Sequence, residues 1–333
     1  MAFTSMVKDL NARQVIECMR DGHVYTKQEL AYKTRLSFPT VGKLIDRLAE
    51  DEKIVSLGTD ENSQGGRKAE LYRVNEDFAH ILLLFVQEQK VFYGVSDALE
   101  KQISRGERMC REGQSIVEQM KDIATQCLEQ DKKIQSMVVG IPGAVYQGQI
   151  KLIDGYEELK GRYLEKELAD RTGLSVRISN NMSALACGAA KRMCRQKENL
   201  VCIHLASTGP GCGAVVNGKP VTGYKGFSGE VGFMPLFGEE TLQDVALNHF
   251  DKVEPGEYLG KLISCICALI NPESVTLYLE HDWENIERKT YHWCRKFLPE
   301  EMIPRLIFSD SYQEDYFYGL TVLGTDLLFT DLI

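Results

Sequence analysis

The sequence predicts an α/β protein in two parts: a winged helix-turn-helix over residues 1–78, then a body of alternating strands and helices over residues 79–333. Three observations predict this. Apolar residues recur at helical spacing between capping signals through the first 50 residues. A polar, Gly-rich hairpin follows them. Beyond residue 79, apolar runs of strand length alternate with amphipathic stretches, which is the pattern of an α/β fold. The 333 residues are 44% hydrophobic and 26% charged, which excludes a disordered or low-complexity chain. No run of about 18 apolar residues is present to span a membrane. The first residues, MAFTSMVKDLNARQ, lack the apolar core of a secretion signal, so a cytoplasmic protein is expected.

Taken in order, NARQVIECMRDG places Val15, Ile16 and Met19 on one helical face, with Asn11 as the expected N-cap and Asp21-Gly22 as the stop. Thr26 followed by Glu29 is a capping box that opens a second helix. After the turn at Arg35-Leu36, Ser37 caps a third helix. Pro39 sits in its first turn, where a missing N–H is harmless, and Val41, Leu44, Ile45 and Leu48 form its inner stripe. KIVSLG and AELYRVN read as strands around the polar tip TDENSQGGRK. Two helices, a tight turn and a hairpin make a winged helix, whose second helix enters a DNA major groove. The candidate DNA contacts are Ser37, Pro39, Thr40, Lys43 and Arg47 on that helix, and Arg67 and Lys68 on the wing.

Charge distribution permits this. The chain carries a net −9, but residues 1–78 hold 12 basic against 13 acidic side chains, and the remainder 27 against 35. The acidity lies in the body, and a near-neutral head can present a local basic face. The ten cysteines form no C-x-x-C pair. Cys265-x-Cys267 lies in the apolar stretch KLISCICALI, so core thiols rather than metal ligands are expected.

In the body, HILLLFVQEQ and KVFYGVSDA read as a strand pair, SIVEQMKDIATQCLEQ as a helix and KIQSMVVGIPG as a strand. YLEKELADRTG (helix), LSVRISNN (strand) and MSALACGAAKRM (helix) follow. NLVCIHLASTGPGCGAVVNGKPV reads as strand, Gly-rich turn and strand. GEYLGKLISCICALINPESVTLYLE reads as helix, then strand.

Three segments stand out: GIPGAV at 140–145, ISNNMSALACGA at 178–189, and HLASTGPGCGAVVNGKPVTGYKGFSGEVGFM at 204–234. With these, the sequence resembles the ROK family of sugar kinases and sugar-responsive repressors. The resemblance covers most of the chain, and the ordered glycines between Thr208 and Met234 are its most specific part. It implies a two-lobed body of the actin-like ATPase (ribonuclease H-like) type, with a winged helix in front as in the repressor branch.

The departures from the kinases are specific. Their Asp-Gly-Gly-Thr phosphate loop is here Phe85-Val86-Gln87-Glu88-Gln89, without a glycine and with a carboxylate that repels phosphate. Their Asn-Asp pair, whose Asp is the general base, is here Asn180-Asn181, and an amide has no usable basicity. Their Gly-rich nucleotide segment is here Leu277 to Asp282. In the family motif G-E-x-G-H, Glu and His touch the sugar and His also binds zinc. Here Glu230 is kept and the His is Phe233, while no cysteine lies between Cys212 and Cys265. No metal and no cofactor are therefore expected. Asn180, Asn181, Glu230, Phe233 and Glu158 are the candidate ligand contacts, with Lys160, Arg162 and Lys225 available to a charged sugar derivative.

The expectation is a non-enzymatic transcriptional regulator, a homodimer or dimer of dimers reading an inverted-repeat operator. It would respond to a sugar-like effector. The rival expectation is an active sugar kinase with an appended DNA-binding domain. A protein-interaction module, and a body kept only for dimerisation and folding, are further alternatives. On the last reading, Gly209, Gly211 and Gly213 serve only to allow positive φ.

Overall fold

The computed structural model describes residues 2–59, 68–111, 113–153 and 155–331. The head consists of α1 (Ala2–Met19), β1 (Tyr25–Thr26), α2 (Lys27–Thr34), α3 (Phe38–Glu50), β2 (Ile54–Thr59) and β3 (Glu70–Val74), with the strands in the order β1-β3-β2. Local signals set the helix starts. Thr26 Oγ1 accepts from Glu29 N at 3.1 Å, while the Glu29 carboxylate accepts from Thr26 N at 2.8 Å, which closes the capping box. Ser37 Oγ accepts from Thr40 N at 3.3 Å. Val41, Leu44, Ile45 and Leu48 are buried together with Val15, Ile16, Met19 and Leu30. The expected N-cap Asn11 is corrected: it lies inside α1, which begins at Ala2. Asparagine in a helix interior costs only a few tenths of a kcal/mol, too little to start or stop a helix against burial of its neighbours.

The body continues with β4 (His80–Gln87), β5 (Lys90–Ser96), β6 (Gln102–Met109), α4 (Ile116–Gln130), β7 (Ile134–Ile141), β8 (Gly143–Tyr146), β9 (Gln149–Ile153), α5 (Leu164–Thr172), β10 (Ser175–Asn180) and α6 (Asn181–Arg192). Next come β11 (Leu200–Ala206), β12 (Gly209–Val216), β13 (Lys219–Pro220), the single turn α7 (Leu242–Asp244), α8 (Pro255–Ile270), β14 (Ser274–Leu279), α9 (Ile286–Phe297), β15 (Arg305–Phe308) and α10 (Tyr312–Asp331).

The chain divides into two compact units. The first holds residues 1–138, 168–177 and 324–333, and the second 139–167 and 178–323. The strand orders β6-β5-β4-β7-β10 and β13-β12-β11-β14-β15 repeat one topology. In each, three strands linked by short turns form one side, and the fourth and fifth strands add beyond the first. β11–β14 and β14–β15 pair in parallel, so β14 is flanked on both sides and is buried along nearly its whole length, Thr276 included. The apolar run of β4 is buried as expected, whereas in α8 one face (Leu259, Leu262, Ile263, Ile266, Cys267) is buried and Leu269 is 76% exposed.

One correction concerns the glycines of TGPGCG. They do not form the turn but lie in β12 itself. Of the three, only Gly209 has a positive φ, at 121°. Gly211 and Gly213 are there because α6 lies across the strand: a Cβ at Gly211 would meet the Met182 side chain, and one at Gly213 the Met182 carbonyl. A second close approach joins α6 to α10. A Cβ on Gly188 would overlap the Asp315 carbonyl, and one on Gly319 that of Ala184. Beside this crossing, the fully buried Asp315 carboxylate receives Arg192 Nη2 at 2.9 Å and the Tyr278 hydroxyl at 2.6 Å. Among the described residues no helix is long and apolar enough to cross a membrane.

Candidate DNA-facing surface and ligand site

On α3, Ser37 and Pro39 are exposed and Thr40 half-buried. The Ser37 and Thr40 hydroxyls lie 2.7 Å apart, so both first serve the helix start. Lys43 is exposed. Arg47 is half-exposed but engaged, with Nη1 3.5 Å from Asp9 and Nε 3.9 Å from Asp51. Lys68 is exposed, and Arg67 lies outside the described residues. Three exposed residues at the same end were not among the sequence candidates: Tyr32 (87% exposed), Phe38 (57%) and Arg35, which caps α2 at φ 57°. A signal for them exists, because Tyr32 and Phe38 are large apolar residues outside the inner stripe.

In the second unit, four segments converge: the start of α6, β8, β12 and the loop 222–234. Asn180 joins two of them. Its Oδ1 accepts from Met182 N at 2.8 Å and Ser183 N at 3.0 Å as the N-cap of α6, and its Nδ2 donates to the Gly143 carbonyl at 3.0 Å. Asn180 is thus a structural cap, with most of its hydrogen-bonding capacity already satisfied. Asn181, the first residue of the helix, is half-buried. The loop is seated on the strands, with Gly226 against the Val145 backbone and Gly229 against the Cys212 carbonyl. Glu230 follows directly and is half-buried. Burial, with the Glu230 carboxylate as a second cause, pushes the Cys212 thiol up to about 12. Phe233 is 56% exposed, its ring 5.3 Å from that of Phe227.

The remaining candidates stand differently. Glu158 is exposed on a turn that hydrogen-bonds to β9, where Gly161 N donates to the Ile150 carbonyl at 2.8 Å. Arg162 is paired with Glu167, its Nε 3.0 Å from Oε1, and is not held ready for an anion. Lys160 lies 3.8 Å from Glu157, and Lys225 is exposed.

Two places where the resemblance implies nucleotide contacts are occupied otherwise. Glu88 and Gln89, at φ 48° and 59°, form a two-residue hairpin turn between β4 and β5. After β14, Glu280 Oε2 accepts from Ser207 N at 2.7 Å, so a carboxylate of the chain itself takes the N–H that opens the Ser207-Thr208 turn. Beside it, His204 stacks on Tyr312 at 4.1 Å, with Nε2 3.8 Å from Glu280. The residues present therefore do not fit a nucleotide there. They do not fit the family's zinc either: Phe233 replaces the imidazole, and among the described residues no group of three His, Cys, Asp or Glu could hold a metal ion.

Burial lowers His204 to about 4, outweighing the nearby Glu280 carboxylate. The unfolded chain, with a histidine value of about 6.5, then binds the proton that the folded chain refuses. Stability is complete above about pH 6.5 and falls as pH drops toward 4, by up to about 3 kcal/mol from this group. Urea denaturation at pH 7 and pH 4.5 should show this loss, and His204→Gln should flatten it. An unchanged pH slope in the variant would contradict the assignment.

The architecture is a winged-helix head and two α/β units, each with a five-stranded sheet of the same strand order. Within it, residues 90–242 match the ROK family. It is similar to the xylose repressor of Bacillus subtilis (strain 168), at 21% identity over 248 residues, 71% of this chain. It thus spans 63% of that relative's length. The xylose repressor of Caldicellulosiruptor bescii is 21% identical over 86% of this chain and 72% of its own. The N-acetyl-D-glucosamine kinase of Erwinia tasmaniensis is 32% identical over 102 residues, 30% of this chain and 34% of its own. Among solved structures, a ROK family transcriptional regulator described as a homologue of the E. coli MLC protein superposes with TM-score 0.80 at 17% identity, covering 97% of both chains. The ROK hexokinase of Thermus thermophilus does so with TM-score 0.63 at 19% identity, covering 75% of this chain and 99% of its own.

Proposed function

We propose that the protein is a cytoplasmic, DNA-binding transcriptional regulator of the repressor type, which binds a sugar or sugar derivative without phosphorylating it. Residues 1–78 are its DNA-binding domain, and residues 79–333 bind the effector and dimerise. The observation that carries the proposal is the capped α3, with Lys43 exposed on it and Ser37 and Phe38 exposed at its start, placed ahead of a ROK domain with an amide at the base position. The repressor names of relatives matching most of the chain support this reading. The kinase reading is favoured by the 102-residue match to an N-acetyl-D-glucosamine kinase. Asn181, the hairpin turn at Glu88 and the Glu280 contact weigh against it.

The path from ligand to head follows the helices. Asn181 opens α6, α6 meets α10 backbone to backbone at Gly188 and Gly319, and α10 runs on to residues 324–331 of the first unit. There α1 is held: Arg20 Nη1 lies 2.8 Å from Asp326 and 3.1 Å from Glu17, its Nη2 3.6 Å from Glu100, and its guanidinium 5.4 Å from the Phe329 ring centre. Arg13 also donates to the Thr330 carbonyl. A ligand that prefers one arrangement of α6 shifts the head through this chain, by a coupling of order 1–3 kcal/mol. A dimer would set two heads on an inverted repeat.

DNA binding is tested with a fluorescent duplex at several salt concentrations. Lys43→Ala should reduce the slope of log K against log [salt] by about 0.9, the contribution of one phosphate contact. An unchanged slope would remove Lys43 from the interface.

A further inference from the structure

Four aromatic rings of the second unit cluster beside Glu230 in a way that buries none of them fully. Tyr224 is 84% exposed, Phe233 56% and Phe227 49%, and Tyr146 is half-buried. They form two contacting pairs. Tyr146 and Tyr224 lie 5.6 Å apart by ring centres, with their hydroxyls 3.2 Å apart, and Phe227 and Phe233 lie 5.3 Å apart. Two residues separate Tyr224 from Phe227, so the Cα atoms of the two pairs are at most about 11 Å apart along the chain.

Tyr146 stands on β8, and the loop 222–234 that carries the other three is tied down by backbone contacts. Ser228 N donates to the Thr222 carbonyl at 3.3 Å, Val231 N to Gly229 at 2.7 Å, and Met234 N to Val231 at 2.9 Å. Gly226 and Gly229 seat it on Val145 and Cys212. Rings fixed on a seated loop lose little freedom when a partner covers them. An exposed aromatic patch with polar hydroxyls suits a ligand that is apolar on its faces and polar at its edges. A pyranose has this character: its C–H faces stack on rings while its hydroxyls bond at the rim.

We propose that Tyr146, Tyr224, Phe227 and Phe233 form an outer carbohydrate subsite. It extends outward from the Glu230–Asn181 position and selects a disaccharide or aryl glycoside over the free monosaccharide. The inference rests on the sugar-binding reading above and deepens it. The inner position bonds hydroxyls of one sugar unit, and the rings stack on the next unit or on the aglycone. Phe233, whose N–H donates to the Glu230 carbonyl at 3.3 Å, is the ring tied most directly to the inner position.

Titration calorimetry on the full chain tests this with glucose, xylose and N-acetylglucosamine, each beside its β-1,4 disaccharide and p-nitrophenyl glycoside. At least one larger probe should bind tenfold or more tightly than its monosaccharide. The double variant Tyr224→Ala/Phe227→Ala should lose that advantage while keeping monosaccharide affinity within threefold. Both side chains are exposed, so the variant should keep the wild-type melting temperature. Equal affinity for monosaccharide and larger probe, or an advantage that survives in the variant, overturns the subsite and leaves the sugar reading intact. No binding of any probe overturns both. Sedimentation decides the competing occupant: if the double variant turns a dimer into monomers, the rings are a contact between copies and the subsite is overturned.

Discussion

Gly319→Ala is expected to destabilise the protein by about 2–3 kcal/mol, although the substitution puts a better helix former into the middle of α10. Intrinsic propensity favours alanine over glycine by about 1 kcal/mol. That gain is outweighed because the new Cβ would occupy the place of the Ala184 carbonyl of α6. Backbone cannot step aside as the end of a side chain can, and overpacking of this kind costs about 1–3 kcal/mol or more. Gly42→Ala in α3 is the matched control. Nothing lies within 4 Å of the place its Cβ would take, so alanine there should stabilise by about 0.5–1 kcal/mol. Urea denaturation of the two variants measures the contrast. A Gly319→Ala protein as stable as the wild type would show that α6 and α10 are not in backbone contact, and the proposed path would lose its central joint.

The second large effect is expected at Arg20. This guanidinium, 15% exposed, gathers Glu17, Glu100 and Asp326 around one positive charge. Removing it leaves three carboxylates close together, with the Glu100 side chain only 8% exposed. Breaking such a partly buried cluster costs about 2–3 kcal/mol, less than the 3–5 kcal/mol of a fully buried pair. The loss should also be local. In Arg20→Ala, hydrogen exchange should accelerate at the amides of α1 and of residues 324–331 together, while those of α3 keep their protection. Exchange that speeds up equally over the whole head would mean that Arg20 supports folding only. A double-mutant cycle with Asp326→Ala should give a coupling of at least about 0.5 kcal/mol for groups in direct contact.

What could be read from the sequence was local. The capping box at Thr26, the cap at Ser37 and the stripe Val41, Leu44, Ile45, Leu48 need only neighbours within one or two turns, and each appears as expected. The exposed strand β6 was missed because QISRGERM, solvated on most of its length, shows no apolar alternation. α10 carries apolar residues around its whole circumference, so no helical period marks it. In the ligand site, the segments that mattered were visible as motifs, but their partners were not. Glu280 reaches Ser207 from 73 residues away, and Tyr146 meets Tyr224 across 78. Gly211 and Gly213 looked like turn residues because nothing in the sequence says that Met182 lies across them. Asn180 looked like a ligand group, yet its place just before α6 is that of an N-cap, a role its sequence position already allowed.

Fluorescence anisotropy of a DNA fragment taken from upstream of the protein's own gene tests the regulator reading as a whole. Full-length protein would be titrated with and without each sugar probe, and with ATP and magnesium present so that ADP is assayed in the same samples. A sugar-sensing, non-phosphorylating regulator should show salt-sensitive, sequence-specific binding, weakened at least fivefold by one of the sugars, with ADP release no faster than in protein-free controls. Sugar-dependent ADP formation, or DNA affinity that no sugar alters, would contradict it.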